Sequence, residues 1–172
     1  MRLALAILGA AVCHADTATT TQAVTVEIVA AGKLSVQAAL PLAAQTSPFG
    51  DFAGTLPVNY RMRTSATGGS GSITLQAAGE FSPTGGPTLA GSALRYTCGG
   101  ATLGTACAGT QVVSQAAQTP VVQVPSGACT GGGAPCSAAD PASSQLQFVL
   151  ENDPRFSTGV YTVRLVLTTS SL

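Results

Sequence analysis

The chain has 172 residues, 7 of them Lys or Arg and 7 Asp or Glu, so its formal net charge is zero and only 8% of it is charged. That balance offers no electrostatic grip on nucleic acid or on an anionic membrane surface, and an apolar content of 45% opposes disorder. One composition runs throughout, which points to a single domain, and so sparse a charge cover protects poorly against self-association.

Residues 1–15 read as a secretory signal. Met1-Arg2 is followed by the apolar run Leu3 to Val12, and Cys13 and Ala15 place small residues three and one before a cut. The run is too short to span a bilayer. A lipoprotein reading, with Cys13 acylated, is weakened by bulky Val12. The expected organisation is a signal at 1–15, an N-terminal extension at 16–31 and one β-domain with two cysteine loops at 32–172.

In the extension, Val24, Val26 and Ile28 alternate with Thr25 and Glu27 behind a Thr/Ala lead. A period of two is that of a strand with one apolar face. Lys33 to Leu42 follows with Leu34, Val36, Leu40 and Leu42, and Pro41 argues against a helix there. Pro48, Gly50, Gly54 and Pro57 mark Ala44 to Pro57 as a loop, with Phe49 and Phe52 as plugs beneath it. Val58, Tyr60 and Met62 then alternate with Asn59, Arg61 and Arg63. Ile73, Leu75 and Ala77 alternate across Ser72 to Ala78, and the TGGSGS stretch between these two strands suggests a hairpin.

Glu80 to Gly91 reads as loop and Ala93 to Cys98 as a short strand. Residues 99–106 form a first cysteine loop, Thr110 to Ser114 and Pro120 to Val124 are two further short strands, and residues 126–144 form a second cysteine loop and a polar linker. Gln145 to Glu151 faces Leu146, Phe148 and Leu150 inward. After a turn at Asn152-Asp153-Pro154, Val160 to Thr169 closes the series with Tyr161, Val163, Leu165 and Leu167 on one face. About eight short strands separated by Gly/Pro turns indicate an all-β sandwich.

Cys98, Cys107, Cys129 and Cys136 remain once Cys13 leaves with the signal, an even number in an exported chain, and two disulfides follow. Local pairing, Cys98–Cys107 with Cys129–Cys136, closes two Gly-rich loops at the lowest entropic cost. Nested pairing, Cys98–Cys136 with Cys107–Cys129, would staple the base of a hairpin and stays open.

Catalytic chemistry has few candidates. His14, the sole histidine, lies in the signal, so the mature chain has no Ser–His–acid triad, Cys–His pair or histidine-based zinc site. Lys33 is the one lysine. Glu151 and Asp153 are the nearest pair of carboxylates for acid–base work, but their neighbours spell a strand end and a turn. Asp51 or Glu151–Asp153 could meet calcium only if more oxygens converged. The reading is therefore not an enzyme, and no cofactor is implied.

The opening TTTQAVTVEIVAAGKLSV and the closing STGVYTVRLVLTTSSL together resemble the two ends of chaperone–usher pilins and of spore coat U-type secreted proteins. The resemblance implies an incomplete immunoglobulin-like sandwich, completed by an N-terminal strand from the next subunit. It implies self-association into a cell-surface filament after passage through the periplasm, with a periplasmic chaperone and an outer-membrane assembly protein as partners. Val24, Val26 and Ile28 would be the donor residues, and Leu146, Phe148, Leu150, Val163, Leu165 and Leu167 would line part of the acceptor groove. The rival reading is a monomeric secreted module that binds carbohydrate or a surface partner through its cysteine loops.

Overall fold

The structure is a computed structural model that describes residues 22–45, 49–65, 68–91, 93–129, 136 and 139–172. The signal, its cleavage site and the Thr17–Thr21 lead lie outside the described residues. The strands are β1 (Ala31–Val36), β2 (Ala43–Ala44), β3 (Phe52–Arg63), β4 (Gly71–Ala77), β5 (Leu94–Gly99), β6 (Thr105–Ala106), β7 (Thr110–Val112), β8 (Thr119–Val124), β9 (Ala142–Leu150) and β10 (Leu165–Ser171). They form two antiparallel sheets. One is ordered β1-β3-β9-β5-β7, with β2 also on β3, and the other β10-β4-β8-β6. The fold is the expected all-β sandwich.

Alternation drives the packing. Val58, Tyr60 and Met62 of β3, Ile73, Leu75 and Ala77 of β4, and Leu146, Phe148 and Leu150 of β9 all turn into one core. Each such burial contributes about 1.5–3 kcal/mol, and a slip of one residue would turn the whole apolar set to solvent. Two tyrosines carry polar tips into this core and find partners across it. Tyr96 of β5 places its hydroxyl 2.8 Å from Thr119 Oγ1 and 2.9 Å from the Pro120 carbonyl on the opposite sheet. The Tyr60 hydroxyl donates to the Leu103 carbonyl. Burial raises the pKa of both phenols.

The expected hairpin across TGGSGS does not form. β3 pairs with β1 and β9, whereas β4 pairs with β10 and β8, so the linker carries the chain from one sheet to the other. Glycine is required at this crossing: a Cβ on Gly71 would collide with Met62 Sδ, and one on Gly69 with the Leu172 carbonyl. The supposed loop before Val58 is also corrected, since β3 already starts at Phe52 and runs through Gly54 and Pro57. The strand outside it is interrupted there, because β1 covers β3 only from Val58 onward and β2 covers only Phe52 and Ala53. A proline in a ladder gives no N–H, and a gap opposite it removes the need for one. Phe52 packs against the core as expected, but Phe49 is exposed.

The strand registers give the sandwich two ends. At the first, called the foot, Ala31 of β1 meets Arg63 of β3, and Ser171 of β10 meets Gly71 of β4. The Ser65 N–H donates to the Leu172 carbonyl here, at 2.9 Å, and ties the two sheets. At the opposite end, the head, Phe52 meets Leu150, Leu94 meets Leu150 and Leu165 meets Ala77.

Candidate functional site

Two flanks of the sandwich differ. On one, β7 and β6 are edge strands of three and two residues. The chain crosses there from β5 in one sheet to β6 in the other and back to β7, and the Cys98–Cys107 disulfide ties the crossing with its Cα atoms 5.4 Å apart. Leu103, inside this loop, is buried and holds Tyr60. The second disulfide, Cys129–Cys136, has a Cα separation of 5.5 Å and sits at the foot, with Cys129 Sγ 3.8 Å from the Met62 carbonyl. The local pairing is therefore the one adopted, and both bridges fit an oxidising, extracellular or periplasmic setting.

The other flank is open. Its edges are β1 and β10, of six and seven residues, and the outer side of each lacks a strand partner among the described residues. Leu34, Leu40 and Leu42 on one side and Val163, Leu165 and Leu167 on the other are only partly buried against the core. The two edges come together near the foot, where a Cβ on Gly32 would lie 2.7 Å from Thr169 Oγ1. That hydroxyl is buried and has no hydrogen-bond partner.

The segment preceding β1 is exposed. Residues 22–30 belong to no strand, although they were expected to form one, and Val24, Val26 and Ile28 are 90%, 76% and 69% exposed. Their alternation is that of a strand; what they lack is a neighbour. One contact fixes the exit from the foot, a 3.2 Å hydrogen bond from Arg63 Nη1 to the Val29 carbonyl.

Of the six residues named for an acceptor groove, the structure places Val163, Leu165 and Leu167 on the open flank. Leu146, Phe148 and Leu150 belong to β9, a central strand between β3 and β5, where their side chains are enclosed by the core. Sequence reading missed the facing wall, Leu34, Leu40 and Leu42. Their spacing was visible, but nothing in it says that β1, which carries Leu34, is an edge, or that Leu40 and Leu42, between β1 and β2 and in no strand, lie over Gly54.

The head carries a cleft of about 500 Å³, lined in part by Phe52, Phe156, Tyr161, Glu151 and Asp153. Tyr161 donates its hydroxyl to the Ser157 carbonyl at 2.6 Å, and Gly86 leaves no space for a Cβ against its ring. Glu151 faces Arg95 at 3.3 Å. Asp153 accepts from the Arg155 backbone N–H at 2.8 Å and from its guanidinium. Those side-chain hydrogen bonds, with the backbone one and the charge of Arg155, hold its pKa down at about 2. Asp153 is thus ionised at all ordinary pH and has no proton to give as a general acid. A smaller depression of about 350 Å³ beside Ser143, Ser144 and Gln145 contains no ionisable group. Among the described residues, no three His, Cys, Asp or Glu side chains converge as metal ligands do, and no helix is long and apolar enough to cross a membrane.

Compared with models of known families the sequence has no match, and no curated protein matches it either.

Proposed function

We propose that this chain is an exported structural subunit, and that it assembles by lending residues 22–30 as a strand to the open flank of another copy. The observation that carries this reading is the row Val24, Val26, Ile28, presented to solvent while two long sheet edges stand without outer strand partners among the described residues. Leaving such a row exposed costs about 1.5–3 kcal/mol for each side chain that could be buried. An open edge invites exactly one kind of neighbour, an extended chain with an apolar face, and natural sandwiches normally protect against it.

Self-insertion is opposed by the sequence next to β1. For residues 24–28 to fold back on β1, the turn would fall within Ile28-Val29-Ala30, where no Gly, Asn, Asp or Pro is available. A two-residue turn at Val29-Ala30 would also set Ile28 opposite Ala31 and Val26 opposite Lys33, on the outward face, because Leu34 is the residue of β1 that turns inward.

The test is assembly of the purified chain, followed by light scattering and negative-stain microscopy. Wild type should form filaments. Val26→Asp should remain monomeric with an unchanged melting curve, and filaments of normal length from that variant would sink the proposal. The cysteine-loop reading gains little support, since the first loop is bolted to the core through Leu103 and Tyr60.

A further inference from the structure

We infer that the outer face of the larger sheet, from the Lys33–Arg61 pair to the hollow beside Gly99, binds an acidic polysaccharide, the cations taking its carboxylates and the hollow a neighbouring sugar unit. The site goes beyond the strand-lending reading and stands without it, since it uses a sheet face and not an edge.

Charge supplies the first argument. The chain as a whole carries no charge excess, but its basic residues are not evenly spread. Lys33, Arg61 and Arg63 all sit on the outward face of β1 and β3, with Lys33 directly opposite Arg61. Like charges so placed repel across about 4.5–5.5 Å and weaken the strand pair, a cost that a bound anion removes. Arg95 and Arg155 each have a carboxylate partner, whereas among the described residues these three have none. Glu27 and Asp140 are close by in the chain, next but one and next to the carbonyls that hold the two guanidiniums, yet neither pairs with a cation here, and counting both leaves the patch positive. Arg61 donates to the Ala139 carbonyl at 3.4 Å and Arg63 to the Val29 carbonyl at 3.2 Å. Each guanidinium is thus pinned and keeps further N–H groups to give, in a fork that matches a carboxylate.

Polarity supplies the second argument. Beyond the cations on the same face come Ser35, Asn59 and Ser143, paired across three strands, and then the row Pro57, Gln145 and Gly99. At about 3.4 Å per residue, the strip from Arg61 to Pro57 is about 14 Å long. It ends in the depression of about 350 Å³, lined by Pro57, Gly99, Gly100, Ser143, Ser144 and Gln145. Two glycines leave this hollow open, and its walls are hydroxyl, amide and a proline ring, which suits the hydroxyls and C–H faces of a sugar. The aromatic side chains of this sheet, Phe52, Tyr60, Tyr96 and Phe148, pack into the core instead. No ring is offered for a base to stack on, so nucleic acid is the poorer fit among polyanions.

Titration of the purified chain with polygalacturonate, dextran and single-stranded DNA tests the inference. Polygalacturonate should bind, neutral dextran should not, and DNA should bind about tenfold more weakly than polygalacturonate. Lys33→Glu exchanges a like-charged pair for an opposite one, so its melting temperature should not fall, while its affinity for polygalacturonate should drop about tenfold, the loss of one charge-assisted hydrogen bond. Gly99→Val fills the hollow; a Cβ there meets nothing nearer than Gln145 at 3.8 Å, an ordinary contact. That variant should lose affinity for polygalacturonate several-fold and keep its affinity for DNA. No binding of polygalacturonate, or binding that survives Lys33→Glu, would overturn the inference. DNA bound as tightly as polygalacturonate, with both indifferent to Gly99→Val, would overturn the assignment to a sugar chain. None of these outcomes bears on strand lending, whose failure is read from Val26→Asp.

Discussion

The two flanks are made of the same material and finished differently. On the flank of β6 and β7 the edges are two and three residues long, the chain crosses between sheets, and a disulfide ties the crossing. On the flank of β1 and β10 the edges are six and seven residues long, and no covalent bridge joins them among the described residues. Edge strands are sites of unwanted pairing, and short strands or covering chain are the usual protection. One flank has that protection in full. The other has no covering strand among the described residues, although its two edges meet near the foot, and the strand-lending proposal rests on that contrast.

The comparison can be broken most forcefully at the lent strand. Val26→Asp places a charge where an apolar side chain is to be buried, and filament yield should fall below detection while circular dichroism stays unchanged. Next comes the receiving edge. Leu165→Asp should destroy the acceptor but spare the donor, so that an equal mixture with wild type gives filaments several-fold shorter by microscopy. Since Leu165 is only partly buried, the variant should lose no more than about 1–2 kcal/mol of stability.

The protected flank should respond in the opposite sense. Replacing Cys98 and Cys107 by Ala opens a loop with a sequence separation of 9. The chain-entropy relation gives a loss of about 2.5 kcal/mol, visible as a lower denaturation midpoint, with filament assembly retained below that midpoint. The smallest effect is at the head. The pKa of Asp153 is depressed to about 2, below the unfolded value near 3.8, so its contribution is present above that value and fades as pH falls through about 2. Asp153→Asn should melt slightly lower than wild type at pH 5, and the difference should shrink steadily as the pH is lowered from 3.8 to about 2.

Much of the sandwich was legible because burial writes itself as alternation. Tyr60, Leu75, Leu146 and Phe148 each stand in a run of period two, and each is buried. The local disulfides were legible from short Gly-rich spacing. What failed was long-range partnership. TGGSGS looks like a hairpin turn, and the same flexible residues serve equally well to cross from sheet to sheet; what distinguishes the two is that β3 pairs with β1 and β9 while β4 pairs with β10 and β8. Pro57 and Gly54 disguised the first half of β3 as a loop, since a proline is tolerated in a strand only where its neighbour leaves a gap. The open flank was half legible. Val163, Leu165 and Leu167 could be named, but the three β9 residues named with them lie on a central strand, and alternation alone does not separate centre from edge.

The place where β1 begins has a mechanical meaning. In a filament joined by residues 22–30, a pull along its length reaches each subunit at Ala31 and passes into β1, which is bonded along its whole length to β3 through six residue pairs. Force applied parallel to two paired strands loads their hydrogen bonds together, in shear, whereas force applied across them opens one bond at a time. The foot entry therefore puts the subunit in its stiffer orientation. The Cys98–Cys107 bridge lies on the far flank, outside that load path, so reduction should lower thermal stability and leave the rupture force nearly unchanged.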